Sequence, residues 1–366
     1  MKIEEKFSLK ELTTIKVGGP ARFFVRAQSI RELREALEYA HKNSLEIFVI
    51  SGGSNVVVSD HGFDGLVIKI EIDKFEKIKE NDKNVWISVG AGLEWDKLVQ
   101  KIVESGWWGM ENLSSIPGRV GACAAQNSGA YGQEVGGVVD KIKAVEVESG
   151  EIKEFSREEC DYGYRQSIFN AKLTGRYVVV EVIFKLSKVA VPMIDYPDVK
   201  KYFDEKKISN PGVVEIREAI SEIRKNKLPD MTVVGNAGSF FKNLVVSPDE
   251  YDKFVETIEK NFGVEYRDKA LELKEKYSSN DGVKILTAWL IDICGLKGTK
   301  IGYVKVYEKQ PLVLITEQGK ATASEVMQLF KKVRNVVFEK TGIEILPEPK
   351  LVGFTKSELD EYFKLN

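Results

Sequence analysis

Apolar and polar positions alternate with both helical and strand periods along the 366-residue chain. Ile30, Leu33, Leu37 and Ala40 recur at helical spacing in SIRELREALEYAHKN, and Ser29 followed by Glu32 forms a capping box, so a helix is predicted from about 30 to 43. EIFVI (46–50) reads as a strand that runs into the glycine loop SGGSN (51–55), and VVVSD and GLVIKI follow as further strands. In the middle of the chain VWISVGAGL, IKAVEVESGEIKEF and GRYVVVEVIFKL are strand-like, with Glu148-Ser149-Gly150 marking a hairpin. EWDKLVQKIVESG, stopped by Gly106, and a segment near 212–226 that ends before Leu228-Pro229 are the intervening helices. Further on, Ser247 as N-cap, Pro248 at the first helical position and Gly263 as terminator punctuate one helix, and Gly342 closes another over SEVMQLFKKVRNVVFEKTG. PLVLI lies between them as a strand, and the chain ends in a polar tail. The mixture predicts an α+β protein of two or three domains, without internal repeats.

Composition narrows the function. Apolar residues are 43% and charged residues 30%, enough for real cores. Fifty-four basic residues oppose 56 acidic ones and no long basic block occurs, which argues against a nucleic-acid partner. The N-terminus lacks the pattern of a secretory signal, and no run approaches the ~18 apolar residues of a membrane span; the expectation is a cytoplasmic protein with no membrane partner. The three cysteines and two histidines have no metal-ligand spacing, so no metal is expected. His41 and His61 read as surface residues, which disfavours Ser-His or Cys-His catalysis. A bound cofactor is the common way to do chemistry without such groups.

Glycine loops are the remaining chemical signal, because clustered backbone N–H groups can cradle phosphate without side-chain charge. The nearest approach to G-x-G-x-x-G, Gly90-Ala91-Gly92-Leu93-Glu94-Trp95, has Trp at the third glycine, and no P-loop pattern exists. SGGSN is therefore the candidate phosphate loop. The stretch 109–137 is dense in small residues yet too apolar for a linker, and within it IPGRVGACAAQNSGAYG could lie flat against a planar ligand. GYRQSIF places Arg165 beside Tyr164, and GNAGSFFKN sets Ser239 between glycine and two phenylalanines. Taken singly, these read as an ordinary turn, a surface ion pair and a turn hydroxyl, and Glu348 in LPEPK reads as a loop carboxylate.

In order and spacing the set TTIKVGGPA, VISGGSNVVVSD, IPGRVGACAAQNSGAYG, GYRQSIF, KLPD, GNAGSFFKN and LPEPKLVG resembles the UDP-N-acetylenolpyruvoylglucosamine reductase family, over about residues 9–354. The resemblance implies non-covalent FAD in a fold of the vanillyl-alcohol-oxidase type, with two FAD-binding subdomains (1–72 with 350–366, and 73–225) and an α/β substrate domain (226–349). It implies NADPH as reductant and a nucleotide-sugar enolpyruvyl ether as substrate, with hydride passing through flavin N5 and a proton from a serine, in a monomer or weak dimer. The family's catalytic residues fall on Arg165, Ser239 and Glu348. Its flavin contacts fall on Gly52, Gly53, Ser54, Asn55, Ile116, Pro117, Gly118, Gly121, Asn127, Gly129, Ala130 and Tyr131. Substrate contacts fall on Tyr164, Tyr196, Arg224, Lys227 and Asn243, with IDYPDVKKYF resembling the substrate-covering loop of one subtype. Leu12, Arg119 and Pro349 depart from the family's usual residues. An FAD-linked oxidase of the same fold and an inactive flavin- or nucleotide-sugar-binding module stand as alternatives.

Overall fold

Ser29 Oγ accepts the Glu32 amide at 3.2 Å and opens α1 (Ile30–Lys42). The Glu32 carboxylate reaches back one residue beyond the expected box, to the Gln28 amide at 2.7 Å. Leu33, Ala36, Leu37 and Ala40 then bury one stripe of the helix, as their spacing requires. The computed structural model describes residues 1–231, 233–279 and 282–365.

The first of two compact units comprises residues 1–7, 21–53 and 64–226. It holds a four-stranded sheet in the order Ile3–Ser8, Pro20–Ala27, Phe63–Ile70, Glu46–Ile50, whose last two strands are parallel. It also holds a five-stranded antiparallel sheet ordered Ile152–Ser156, Val139–Glu146, Tyr177–Ser187, Asn84–Gly90, Phe75–Glu80. The predicted hairpin at 148–150 joins the first two of these. Helices α2 (Trp95–Glu104), α3 (Val120–Ala125), α4 (Pro197–Lys206) and α5 (Val213–Lys227) complete the unit. Val25 and Leu66 of the first sheet share one buried cluster with Ile87 and Val182 of the second and with Trp95 of α2.

The second unit comprises residues 8–20, 54–63 and the chain from Lys227 onward. Its helices are α6 (Pro248–Phe262), α7 (Val264–Tyr277), α8 (Thr287–Ile293), α9 (Ala323–Thr341) and α10 (Lys356–Phe363). Capping boxes at Ser247–Glu250 and Thr322–Glu325 start α6 and α9, and Gly342 ends α9 at φ 72°. Phe240, Phe241 and Phe330 form the centre of its core.

Residues 21–53 and 64–226 share one core, whereas Ile15, Val17 and Val57 are buried in the core of the second unit, with which the tail also packs, because α10 lays Phe363 on Phe330 at 5.3 Å. The polar tail is thus a helix, opened by a Thr355–Glu358 capping box. Gly263 ends α6 as predicted, but its φ of 97° also turns the chain directly into α7. Among the described residues no helix is long and apolar enough to cross a membrane.

Candidate active site

In the first unit the strand Glu46–Ile50 delivers Ser51, Gly52 and Gly53 to its end, with Gly53 at φ 61°. A Cβ on Gly52 would lie 2.6 Å from the Gly118 Cα, so this loop and the IPG stretch approach backbone to backbone, which only glycine permits. Ser51 Oγ is buried there without a partner. Ile116, Pro117, Gly118, Gly129, Ala130 and Tyr131 are half-buried, a surface of mostly small groups that can take a planar ring. Gly121 sits buried in α3 beside Cys123, whose thiol burial pushes up to about 12, leaving it neutral. Two close glycine turns, an unsatisfied hydroxyl and a surface not filled by side chains fit the phosphates and ring of FAD. Arg119, which departs from a small residue, turns its guanidinium onto the Gly92 carbonyl.

Backbone strain concentrates in the same segments. Ser115, Asn127, Tyr131 and Arg165 all adopt left-handed φ of 45–59°, unusual for side chains with a Cβ and maintained only where neighbours over-determine them. Ser115 donates its amide to Asp96 Oδ1 at 2.6 Å, shares a hydroxyl hydrogen bond with Ser221 at 2.9 Å, and accepts Arg224 Nε at 3.2 Å. Asn127 accepts the Gly136 amide and donates to Glu134 and the Gly163 carbonyl, each at 2.8 Å. Arg165 passes its Nη1 3.1 Å from where a Cβ on Gly129 would sit, so Gly129 leaves the room that the guanidinium uses. The exposed Tyr164 ring lies 5.5 Å from that guanidinium.

Cations and tyrosines form a second cluster in this unit. Burial pushes Arg224 below the usual guanidinium range, partly offset by Tyr131 and Asp96. Burial likewise raises the Tyr131 hydroxyl, which is hydrogen-bonded to Arg224. Burial alone would raise the Asp96 carboxyl, but the two hydrogen bonds from Arg217 at 2.7 and 2.9 Å and that from Ser115 outweigh it and hold it below the ordinary range. Tyr196, immediately before Pro197 of α4, meets the Tyr131 ring edge-on at 5.3 Å.

The second unit carries the other candidates. Ser239 ends the strand Gly235–Ser239, where the register with Val313–Thr316 breaks between Asn236 and Ser239 and leaves the serine exposed. Phe241 bridges Pro347, and the Glu348 amide donates to the Phe240 carbonyl at 2.8 Å, so Glu348 is held one hydrogen bond from the residue after Ser239. Pro349, the other departure here, lies buried beyond it. Arg334 of α9 grips Glu344, ahead of this segment, at 2.5 Å. Asn55 accepts the Lys350 amide at 3.1 Å where Lys350–Val352 pairs in parallel with Val56–Val58, and the chain passes between units at Gly53 and Ser54. Asn243 accepts the Thr287 amide at 3.1 Å and so caps α8. Lys227 closes α5.

Sequence reasoning passed over Ser51, Asn112 and Asn236. Asn236 is buried with Nδ2 unpartnered, while its Oδ1 accepts the Gly238 amide at 3.0 Å and shapes the turn before Ser239. It lies inside the GNAGSFFKN motif, and that polar residue amid small ones was the available signal.

A family model of an FAD binding domain matches residues 21–156, and one of the UDP-N-acetylenolpyruvoylglucosamine reductase C-terminal domain matches residues 229–352. The chain is 35% identical over 353 residues to the UDP-N-acetylenolpyruvoylglucosamine reductase of Flavobacterium johnsoniae, covering 96% of this chain and 100% of that protein. It is also 35% identical over 352 residues to the same-named protein of Pseudomonas syringae pv. syringae, covering 96% and 99%. In structure it is similar to the UDP-N-acetylenolpyruvylglucosamine reductase of Thermus caldophilus, with TM-score 0.65 and 22% identity over 96% of this chain and 99% of that one, a likeness of fold.

Proposed function

Because this chain belongs to the UDP-N-acetylenolpyruvoylglucosamine reductase family, we propose that it reduces the enolpyruvyl ether of UDP-N-acetylglucosamine to UDP-N-acetylmuramate, with NADPH as electron source, for peptidoglycan precursor synthesis. The observation that carries this reading is the similarity along 96% of the chain and the whole of a relative so named, and it is supported by Arg165, Ser239 and Glu348 lying in motifs that resemble the family's. Gly52, Gly53 and the 116–131 stretch would hold FAD, which when bound would supply the electron pair that saturates the substrate's vinyl double bond.

The protein's own groups manage charge and protons. As the double bond is reduced, negative charge builds on the substrate carboxylate, and Arg165 offers a guanidinium that cannot lose its proton to oppose it. The left-handed backbone at Arg165 supports that role, since strain of this kind persists where a side chain must be aimed. Glu348 in its protonated form donates a hydrogen bond to the same carboxylate. Ser239 donates its hydroxyl proton to the carbon bearing the carboxylate, a step that needs a tuned environment because a serine hydroxyl is a poor acid in water. Tyr164, Tyr196, Arg224, Lys227 and Asn243 bind the nucleotide sugar in this reading, with Tyr196 on the diphosphate. The enzyme acts in the cytoplasm, as a monomer or weak dimer.

An anaerobic titration tests it. The yellow protein should be bleached by NADPH and regain its flavin spectrum when the enolpyruvyl nucleotide sugar is added. Protein that takes up no flavin refutes the proposal; reduced protein that the nucleotide sugar does not reoxidise, but that oxygen admitted afterwards does, supports the oxidase alternative.

A further inference from the structure

The segment 109–112 lies ahead of the flavin-contacting residues and has no role in the reading above. Its Glu111 and Asn112 form a buried polar cluster with Gln133. Glu111 and Asn112 are each 0% exposed and Gln133 is 6% exposed. The Glu111 carboxylate accepts the Gly109 amide at 2.7 Å and Gln133 Nε2 at 2.8 Å. That orients the Gln133 amide so that its Oε1 accepts the Asn112 backbone N–H at 2.9 Å. Asn112 Nδ2 then donates to two carbonyls from different parts of the chain, Tyr131 and Met193, both at 2.8 Å.

Those two carbonyls flank one feature. Tyr131 is strained at φ 49° and carries the ring that meets Tyr196 at 5.3 Å. Met193 sits just ahead of Tyr196 in a segment whose Val189, Val191 and Met193 are 53%, 56% and 42% exposed, so its apolar packing on the core rests on the half-buried Ile194. Asn112 Oδ1 is itself buried with no partner. An apolar side chain of the same shape would avoid that desolvation cost, so the two donors are what the position needs.

We propose that Asn112 is the positioning residue for Tyr196: its buried side-chain amide, on a backbone that Glu111 and Gln133 hold in place, ties the strained Tyr131 turn to the Met193 segment and so sets where the Tyr196 ring stands. The inference rests on the reductase reading for what Tyr196 binds. A rigid amide bridging two backbones holds their separation more tightly than side-chain packing of an exposed strap could, and Tyr196 reaches the substrate already ordered.

Asn112→Leu removes both donors at similar volume. The expected result is wild-type FAD content and flavin reduction by NADPH, a KM for the enolpyruvyl nucleotide sugar raised about tenfold for the loss of well-formed buried hydrogen bonds, and kcat within about twofold. Tyr196→Phe should raise KM alone but add almost nothing in the Asn112→Leu background, since the two changes remove one interaction. In ligand-free protein, amides of 190–196 should exchange hydrogen about tenfold faster than in wild type. An unchanged KM, KM increases that multiply in the double variant, or unaltered exchange overturns the proposal. If Asn112→Leu does not fold, Asn112→Ser, which keeps one donor and adds no bulk, carries the same comparisons. Wild-type protein that binds no FAD or turns over no nucleotide sugar refutes the reductase reading instead, and the exchange rates still decide whether Asn112 holds the segment.

Discussion

Gly52→Ala tests the flavin cradle at its tightest point. The new Cβ would stand 2.6 Å from the Gly118 Cα and 3.1 Å from the Gly118 carbonyl carbon. Carbon atoms in contact sit about 3.5–4.0 Å apart, so the loops must part by about 1 Å. Both neighbouring atoms are backbone, not the end of a flexible side chain, so relief requires a main-chain shift. Overpacking of this kind costs about 1–3 kcal/mol. If the separation displaces the groups that hold the cofactor, the same energy appears as FAD affinity weakened roughly 5- to 150-fold. Equilibrium titration of FAD-free protein, followed by flavin fluorescence, measures the affinity, and denaturant unfolding measures the stability. Gly137→Ala is the control: nothing lies within 4 Å of its added Cβ and its φ is not left-handed. It should leave FAD affinity unchanged and stability equal or higher by about 0.4–1 kcal/mol. A Gly52→Ala protein that binds FAD within twofold of wild type would refute the view that backbone contact between these loops forms the cradle.

Further measurements probe the other candidates. Ser239→Ala should leave NADPH-driven flavin reduction within a few-fold while slowing reoxidation by substrate about 10²- to 10⁴-fold, the usual worth of a general acid; equal losses in both half-reactions, read by stopped flow, would exclude a proton-donor role. Replacing Tyr196 with alanine should weaken nucleotide-sugar binding, measured calorimetrically, far more than flavin reduction, and unchanged affinity would reject it as a lid residue. Asp96 is held below its ordinary value of 3.8, so it stabilises the fold above that value and the contribution disappears as pH falls through its lower folded pKa. Denaturant unfolding should therefore show wild-type stability falling toward Asp96→Asn as the medium is acidified below about pH 4; parallel profiles would mean that the Arg217 and Ser115 bonds do not favour the charged carboxylate.

Helices were legible where the chain punctuates them. Ser29, Ser247, Gly106, Gly263 and Gly342 mark element ends by local chemistry, and the structure ends its helices there. The candidate chemistry was legible because Arg165, Ser239 and Glu348 lie in short, distinctive motifs. α7 and α10 were not, since one begins directly behind a glycine that ends another helix and the other is a polar helix stabilised by a cap and by Phe363 packing on Phe330. Nor could the motifs themselves announce Ser51, Asn112 or Asn236, because a buried atom lacking a partner is defined by what surrounds it and not by its neighbours in sequence. Residue order alone thus determined the punctuated helices, the alternating strands and the cofactor class, and it offered Arg165, Ser239 and Glu348 as candidate reacting side chains. Tertiary structure decided which backbones touch: Gly52 on Gly118, Asn112 across Tyr131 and Met193, Glu348 behind Phe240. These are contacts between residues far apart in the chain, made by groups that every residue carries or by amides common on any surface, and only the packed fold brings them within hydrogen-bonding or van der Waals reach.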